Sequence, residues 1–131
     1  MASGKYLLDT NIIIALFNND REVIKKLTTA KEIFICNTVI GELYYGIHNS
    51  LRKNENKKRL EEFIACSSIL ENNIETAKIY GSLKSELKKK GKPIPENDIW
   101  VAALAIQYGL QLITRDKHFK EIKGLSLVML K

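Results

Sequence analysis

The sequence predicts an α/β domain built on a mainly parallel sheet, and three observations carry that reading. Apolar runs of strand length recur between longer stretches of helical spacing. Polar capping and turn residues stand at the junctions between them. The two kinds of stretch alternate along the chain, as parallel strands joined by helical crossovers require.

Lys5 to Leu8 reads as a short buried strand, and Thr10 to Phe17 as a helix with Asp9, Thr10 or Asn11 as its N-cap. Asp20 is a good cap for a second helix through EVIKKLTTA, and Glu32 to Cys36 is the second strand. Thr38 is expected to cap TVIGELYYGI. Residues 49–59 read as a charged, turn-rich stretch before the amphipathic RLEEFIAC, so 38–66 is expected to form a helical hairpin projecting from the core. Ser68 to Leu70 is a weak third strand. Ile79, Leu83 and Leu87 lie four apart in a long amphipathic helix over Glu75–Lys90, which Gly91 ends. Pro93 and Pro95 introduce the helix ENDIWVAALAIQY, ended by Gly109. Gln111 to Thr114 is a strand, RDKHF a turn with one helical turn, and Ser126 to Leu130 the last strand.

At 131 residues the chain suits a single domain, 1–131, that buries roughly two-thirds of its unfolded surface. Its 45% hydrophobic and 27% charged content is that of an ordinary globular protein, without low-complexity tracts or internal repeats. The longest apolar run, Ile99 to Ile106, is far below the roughly 18 residues of a membrane span. The start, MASGK, has no charged n-region or apolar h-region, and residues 1–4 are compatible with a cloning remnant; the expected location is the cytoplasm. Cys36 and Cys66 are too few for a disulfide framework and are expected as reduced core thiols. The net charge of +6 suits a polyanionic partner such as nucleic acid.

Four acids stand out. Asp9 interrupts the apolar run YLLDTNIII at a strand end, and Asp116 follows the QLIT strand, so both belong on the carboxyl edge of the sheet, where open α/β sheets bind ligands. Asp98 begins a helix packed against that edge, and Glu42 lies in the helix leaving the second strand. Each has an ordinary reading: Asp9 a cap, Asp98 a first-turn acid suited to the helix dipole, Glu42 a solvated helix residue, Asp116 a turn aspartate near Lys120. Yet Ile13, Gly46 and Ala102, not cations, stand four residues after Asp9, Glu42 and Asp98. If the acids converge, repulsion at about 4 Å is on the order of a few kcal/mol per pair, and the site needs a cation or raised pKa values. All-oxygen ligands favour Mg²⁺ or Mn²⁺. Zinc is disfavoured, because His48, His118, Cys36 and Cys66 lack its ligand spacing; both histidines are expected to be surface or structural residues.

Four segments, LLDTNIII at 7–14, IGELYYG at 40–46, IPENDIWVAALA at 94–105 and LITRDKHF at 112–119, resemble in order and spacing the motifs of PIN-domain ribonucleases. Within that family the chain most resembles the VapC-type toxins of toxin–antitoxin pairs, over essentially its whole length. The resemblance implies a three-layer α/β/α sandwich with strand order 3-2-1-4-5, whose switch point lies between the first and fourth strands. It implies that Asp9, Glu42, Asp98 and Asp116 form a catalytic, metal-binding set for Mg²⁺, with Mn²⁺ as substitute. Thr10, Asn11 and Thr114 would be supporting polar residues. The implied reaction is hydrolysis of RNA phosphodiesters by a metal-activated water. Implied partners are a VapB-like antitoxin, docking around the helical hairpin, an RNA substrate and a second copy in a homodimer.

Arg115 and Lys117, beside Asp116, are the nearest candidates for RNA phosphate contact. Lys84, Lys88, Lys89, Lys90 and Lys92 form a denser cluster that suits solubility and the helix dipole equally well. Tyr44, Tyr45 and Ile47 read either as core residues or as the lining of a groove for a partner helix. Two rivals stand beside the nuclease. A haloacid-dehalogenase-like phosphatase would need an acid two residues after Asp9, where this chain has Asn11. A non-catalytic RNA- or antitoxin-binding module would not need all four acids.

Overall fold

A computed structural model describes residues 4–131; the remnant expected at 1–4 lies, for residues 1–3, outside the described residues. The strands are β1 (Lys5–Leu8), β2 (Glu32–Cys36), β3 (Ser68–Leu70), β4 (Gln111–Thr114) and β5 (Leu127–Met129). They form one sheet in the order β3-β2-β1-β4-β5, parallel at every pairing. The helices are α1 (Thr10–Phe17), α2 (Arg21–Leu27), α3 (Asn37–His48), α4 (Lys53–Ala65), α5 (Ile74–Lys89) and α6 (Glu96–Tyr108). Together they make a three-layer α/β/α sandwich.

The two central strands explain why the apolar runs are uninterrupted. Leu7 and Leu8 of β1 and Leu112 and Ile113 of β4 are fully buried, as strands covered by helices on both faces must be. Leu8 pairs with Ile113, and the Asp9 amide extends the ladder by donating to the Ile113 carbonyl at 3.1 Å. The carboxyl ends of β1 and β4 are therefore level. α6 is apolar nearly all round, burying Ile99 and the run Val101 to Ala105, and it ends at Gly109 in the left-handed region, φ +64°, where a side chain would be strained.

The hairpin departs from expectation. α4 starts at Lys53, not Arg59, because the charged stretch KNENKK supplies lysine and glutamate, good helix formers, and Leu60 docks the helix into the core. With Val39 and Leu43 of α3 also buried, the hairpin is part of the core and does not project from it. α3 begins one residue before Thr38. Cys36 occupies its N-cap position without a side-chain cap hydrogen bond. Cys36 is buried, and burial pushes its thiol up to about 11; Cys66 is exposed and no core thiol. Among the described residues no helix is long and apolar enough to cross a membrane.

After β4 the chain makes a 3₁₀ turn over Lys117–Glu121, anchored by Phe119, which has no exposed surface. Removing that ring leaves a cavity beneath the turn that carries Asp116. Phe119→Ala is expected to lose about 3–5 kcal/mol of stability, read as a lower urea midpoint at unchanged slope.

Candidate active site

The site is assembled at the carboxyl ends of β1 and β4. Asp9 is 4% exposed, in extended backbone conformation at the N-cap of α1, and its Oδ1 accepts the Thr10 amide at 2.9 Å. Its other oxygen, Oδ2, accepts from the Thr114 hydroxyl at 2.7 Å and from the Asn11 amide at 3.1 Å. Asn11 Nδ2 also reaches Thr114 Oγ1 at 3.3 Å, and Asn11 Oδ1 accepts the Arg115 amide at 3.1 Å. Thr114 Oγ1 accepts the Asp116 amide at 3.0 Å as well. A single cluster thus ties β1, α1 and the segment after β4 together, and Asn11, two residues after Asp9, is wholly engaged in it.

Two further elements bring the remaining acids. The Thr10 hydroxyl donates to Glu42 Oε1 at 2.7 Å, joining α1 to α3. Asp98, in the first turn of α6, has a side chain only 14% exposed. Oxygens of Asp98 and Asp116 and a nitrogen of His118 lie within 4.8 Å of one another, a spacing that suits three ligands of one cation. His118 Nδ1 is 3.0 Å from Asp116 Oδ1 and 4.0 Å from Asp98 Oδ2.

Electrostatics follow from this packing. Burial, reinforced by the charges of Asp9, Asp116 and Glu42 and opposed by His118, raises the Asp98 carboxyl from an ordinary 3.8 to about 7. Burial raises Asp9 too, but the hydrogen bonds from Thr114 and Thr10 hold it back, and Glu42 and Asp116 add to the rise. Carboxylates gathered this way disfavour their own ionisation, which a divalent cation relieves.

Asp9, Glu42, Asp98, Asp116, Thr10, Asn11 and Thr114 are therefore brought together. Arg115 is engaged elsewhere: its guanidinium bonds Asp20 at 2.9 Å and Glu22 at 3.1 Å, bracing α2 against the end of β4. Lys117 is exposed beside the acids. Lys84 is held by Glu96 at 2.6 Å, and Lys90 by the Glu121 carbonyl. His118, expected as a surface or structural residue, is exposed yet stands against two of the acids. Its position in DKH, two residues after Asp116, was the available signal, since a tight turn returns such a residue to its own cap.

With the geometry in place, comparison with known proteins is decisive. The PIN domain family profile matches residues 6–125. The chain belongs to the PIN-domain family, among the VapC ribonucleases. It is 35% identical over 130 residues to Ribonuclease VapC2 of Rickettsia felis, covering 93% of this chain and 95% of that protein. It is 31% identical to the tRNA(fMet)-specific endonuclease VapC of Salmonella typhimurium, covering 94% and 96%. A chain of the VapBC2 complex of Rickettsia felis, crystallised with a DNA fragment from its promoter, superposes with a TM-score of 0.89 at 31% identity, covering 97% of this chain and 99% of that one. The VapC fold accounts for the strand order and for the edge at which the acids meet.

The raised acids set a pH dependence of stability. Between about 4 and about 7 the folded protein holds the Asp98 proton that the unfolded chain has released, so stability falls as pH rises through that window and levels off above it. Thermal melts of the EDTA-treated protein are expected to show this fall. Asp98→Asn is expected to flatten it, and added Mg²⁺ to raise the melting temperature more at pH 8 than at pH 5.

Proposed function

We propose that this chain is a divalent-cation-dependent endoribonuclease and the toxin of an antitoxin-controlled pair. The observation that carries the reading is the convergence of Asp9, Asp98 and Asp116, with Glu42 joined through Thr10, on one carboxyl edge. Relatives named as ribonuclease and as tRNA(fMet)-specific endonuclease support it at 35% and 31% identity.

The donor set fits a hard divalent cation: oxygen-rich, anionic, and with a carboxyl held up to about 7 by its neighbours. Asp9, Asp98 and Asp116 would hold it, with His118 beside them and Glu42 next to that set. Bound there, Mg²⁺ or Mn²⁺ supplies Lewis acidity and a more acidic water for attack on a phosphodiester. The protein's own work is positional. Thr114 and Asn11 fix the Asp9 carboxylate, Thr10 orients Glu42, and the 3₁₀ turn presents Asp116. Lys117 offers a cation to RNA that the carboxylates alone would repel.

A cavity of about 260 Å³ between α1, α3 and α4 supports the antitoxin half of the reading. Ile14, Phe17, Leu43, Ile47 and Leu60 line it with Arg59, and Ile14 is 48% exposed, the surface an amphipathic partner helix covers. Glu42 stands at its edge, so a VapB-like segment bound there reaches the acidic cluster.

Cleavage of a panel of structured RNAs by purified protein with Mg²⁺, with Mn²⁺ and with EDTA tests the catalytic half. Metal-dependent cuts by the wild type that Asp98→Ala, prepared identically, does not make are the expected result. Equal cutting by both proteins would remove the assignment.

A further inference from the structure

Beside the acidic cluster lies a second, polar pocket that the hydrolytic chemistry does not use. It is open, about 700 Å³, and is lined by Thr10, Glu42, Asn37, Thr38, Asn97 and Tyr45, with Gly41 at its wall. Thr10 and Glu42 belong to the cluster, so whatever enters this pocket lies next to the reacting phosphate.

Three features of the pocket point to a planar, hydrogen-bonding ligand. Tyr45 is 74% exposed on the same face of α3 as Glu42 and Thr38, which stand three and seven residues earlier. Neighbouring Tyr44 and Ile47 are packed against the core, so Tyr45 is the aromatic of this helix left facing solvent. The side chains of Asn37, Thr38 and Asn97 and the Tyr45 hydroxyl make no hydrogen bond among the described residues. Asn37, Thr38 and Asn97 present amide and hydroxyl groups of both donor and acceptor type at two helix starts. Gly41 is the third feature. A glycine inside a helix weakens it relative to alanine, and a Cβ built at Gly41 would meet nothing within 4 Å, so no intramolecular contact calls for its smallness.

We infer that this pocket receives a nucleobase of single-stranded RNA adjoining the scissile phosphate, stacked on Tyr45 and read along its edge by Asn37, Thr38 and Asn97. The inference rests on the ribonuclease reading and adds to it a subsite for substrate choice. Proteins that select RNA sequences take unpaired bases, stack them on aromatic rings and bond their edges with amides and hydroxyls. Gly41 leaves the wall open for the sugar and backbone of that nucleotide. Tyr45 touches the base and not the reacting atoms; it is a positioning residue whose loss weakens substrate binding before it slows the chemical step.

The test uses short single-stranded RNAs that carry, at successive positions, a fluorescent adenine analogue whose emission is quenched by stacking. They are titrated into full-length Asp98→Asn protein, so that binding is read without cleavage, and wild-type cleavage of the same RNAs is followed in parallel. Quenching at one position is expected on binding. Tyr45→Ala is expected to abolish it and weaken binding about ten- to a hundredfold, while Tyr45→Phe retains both. Gly41→Leu is expected to weaken binding while raising the melting temperature, an opposition that damage to the fold cannot produce. In cleavage, Tyr45→Ala is expected to raise KM more than it lowers kcat. Binding and quenching unchanged by Tyr45→Ala, or no binding of any RNA, overturns the inference; if wild type still cleaves, the ribonuclease reading survives it. Quenching that depends on Tyr45 in a protein that cuts no RNA keeps the subsite and overturns the nuclease.

Discussion

The hydrogen bond from Thr114 to Asp9 is the interaction on which the rest of the site depends. A carboxylate nearly closed to solvent at the end of a parallel strand loses most of its hydration, and only donors placed before the cation or substrate arrives can compensate. Thr114 supplies one from the adjacent strand, Asn11 a second and the Thr10 amide a third. Because Thr114 also accepts the Asp116 amide, the same hydroxyl that steadies one acid fixes the start of the turn bearing another. The parallel register of β1 and β4 is what brings Thr114 to Asp9 across 105 positions of sequence.

Support for Asp9 does not extend to Asp98, and this asymmetry organises the electrostatics. Asp9 has three donors and its rise is held in check; Asp98 is half-buried with three like charges around it, opposed by His118. The unrelieved charge is concentrated where Asp98, Asp116 and His118 meet. A fold that accepts such repulsion has stability available elsewhere, and α6 supplies it: six buried apolar residues follow Asp98 within two turns, holding the helix start in place whatever its carboxyl prefers.

Much of this was legible because the strongest signals are local. β1, β2, β3, β4, α1 and α6 have the bounds their sequence patterns imply, since apolar run length, caps and Gly109 act over a few residues. The four acids were legible as anomalies, each an uncompensated charge among apolar neighbours. What escaped depends on tertiary placement. Charged KNENKK reads as a loop until Leu60 docks its helix. Arg115, beside Asp116 in sequence, turns to Asp20, the cap of α2, and to Glu22 within it, two ion pairs across 95 and 93 positions that no pattern announces. His118 joins the acids through the geometry of a 3₁₀ turn, and Cys66 is exposed because its helix ends at the surface.

α3 carries the consequences furthest. One of its faces presents Thr38, Glu42 and Tyr45 toward the polar pocket; another presents Leu43, Gly46 and Ile47 to the apolar groove against α1 and α4. Glu42 lines both cavities. A helix with two such faces cannot be shifted by a ligand on one side without moving the residues on the other, because Val39 and Leu43 bury it between them. Glu42 is joined by a hydrogen bond to Thr10, and Thr10 starts α1, the same turn that holds Asp9. The polar pocket, the acidic cluster and the apolar groove meet on a single helix because that helix leaves β2, the strand beside β1.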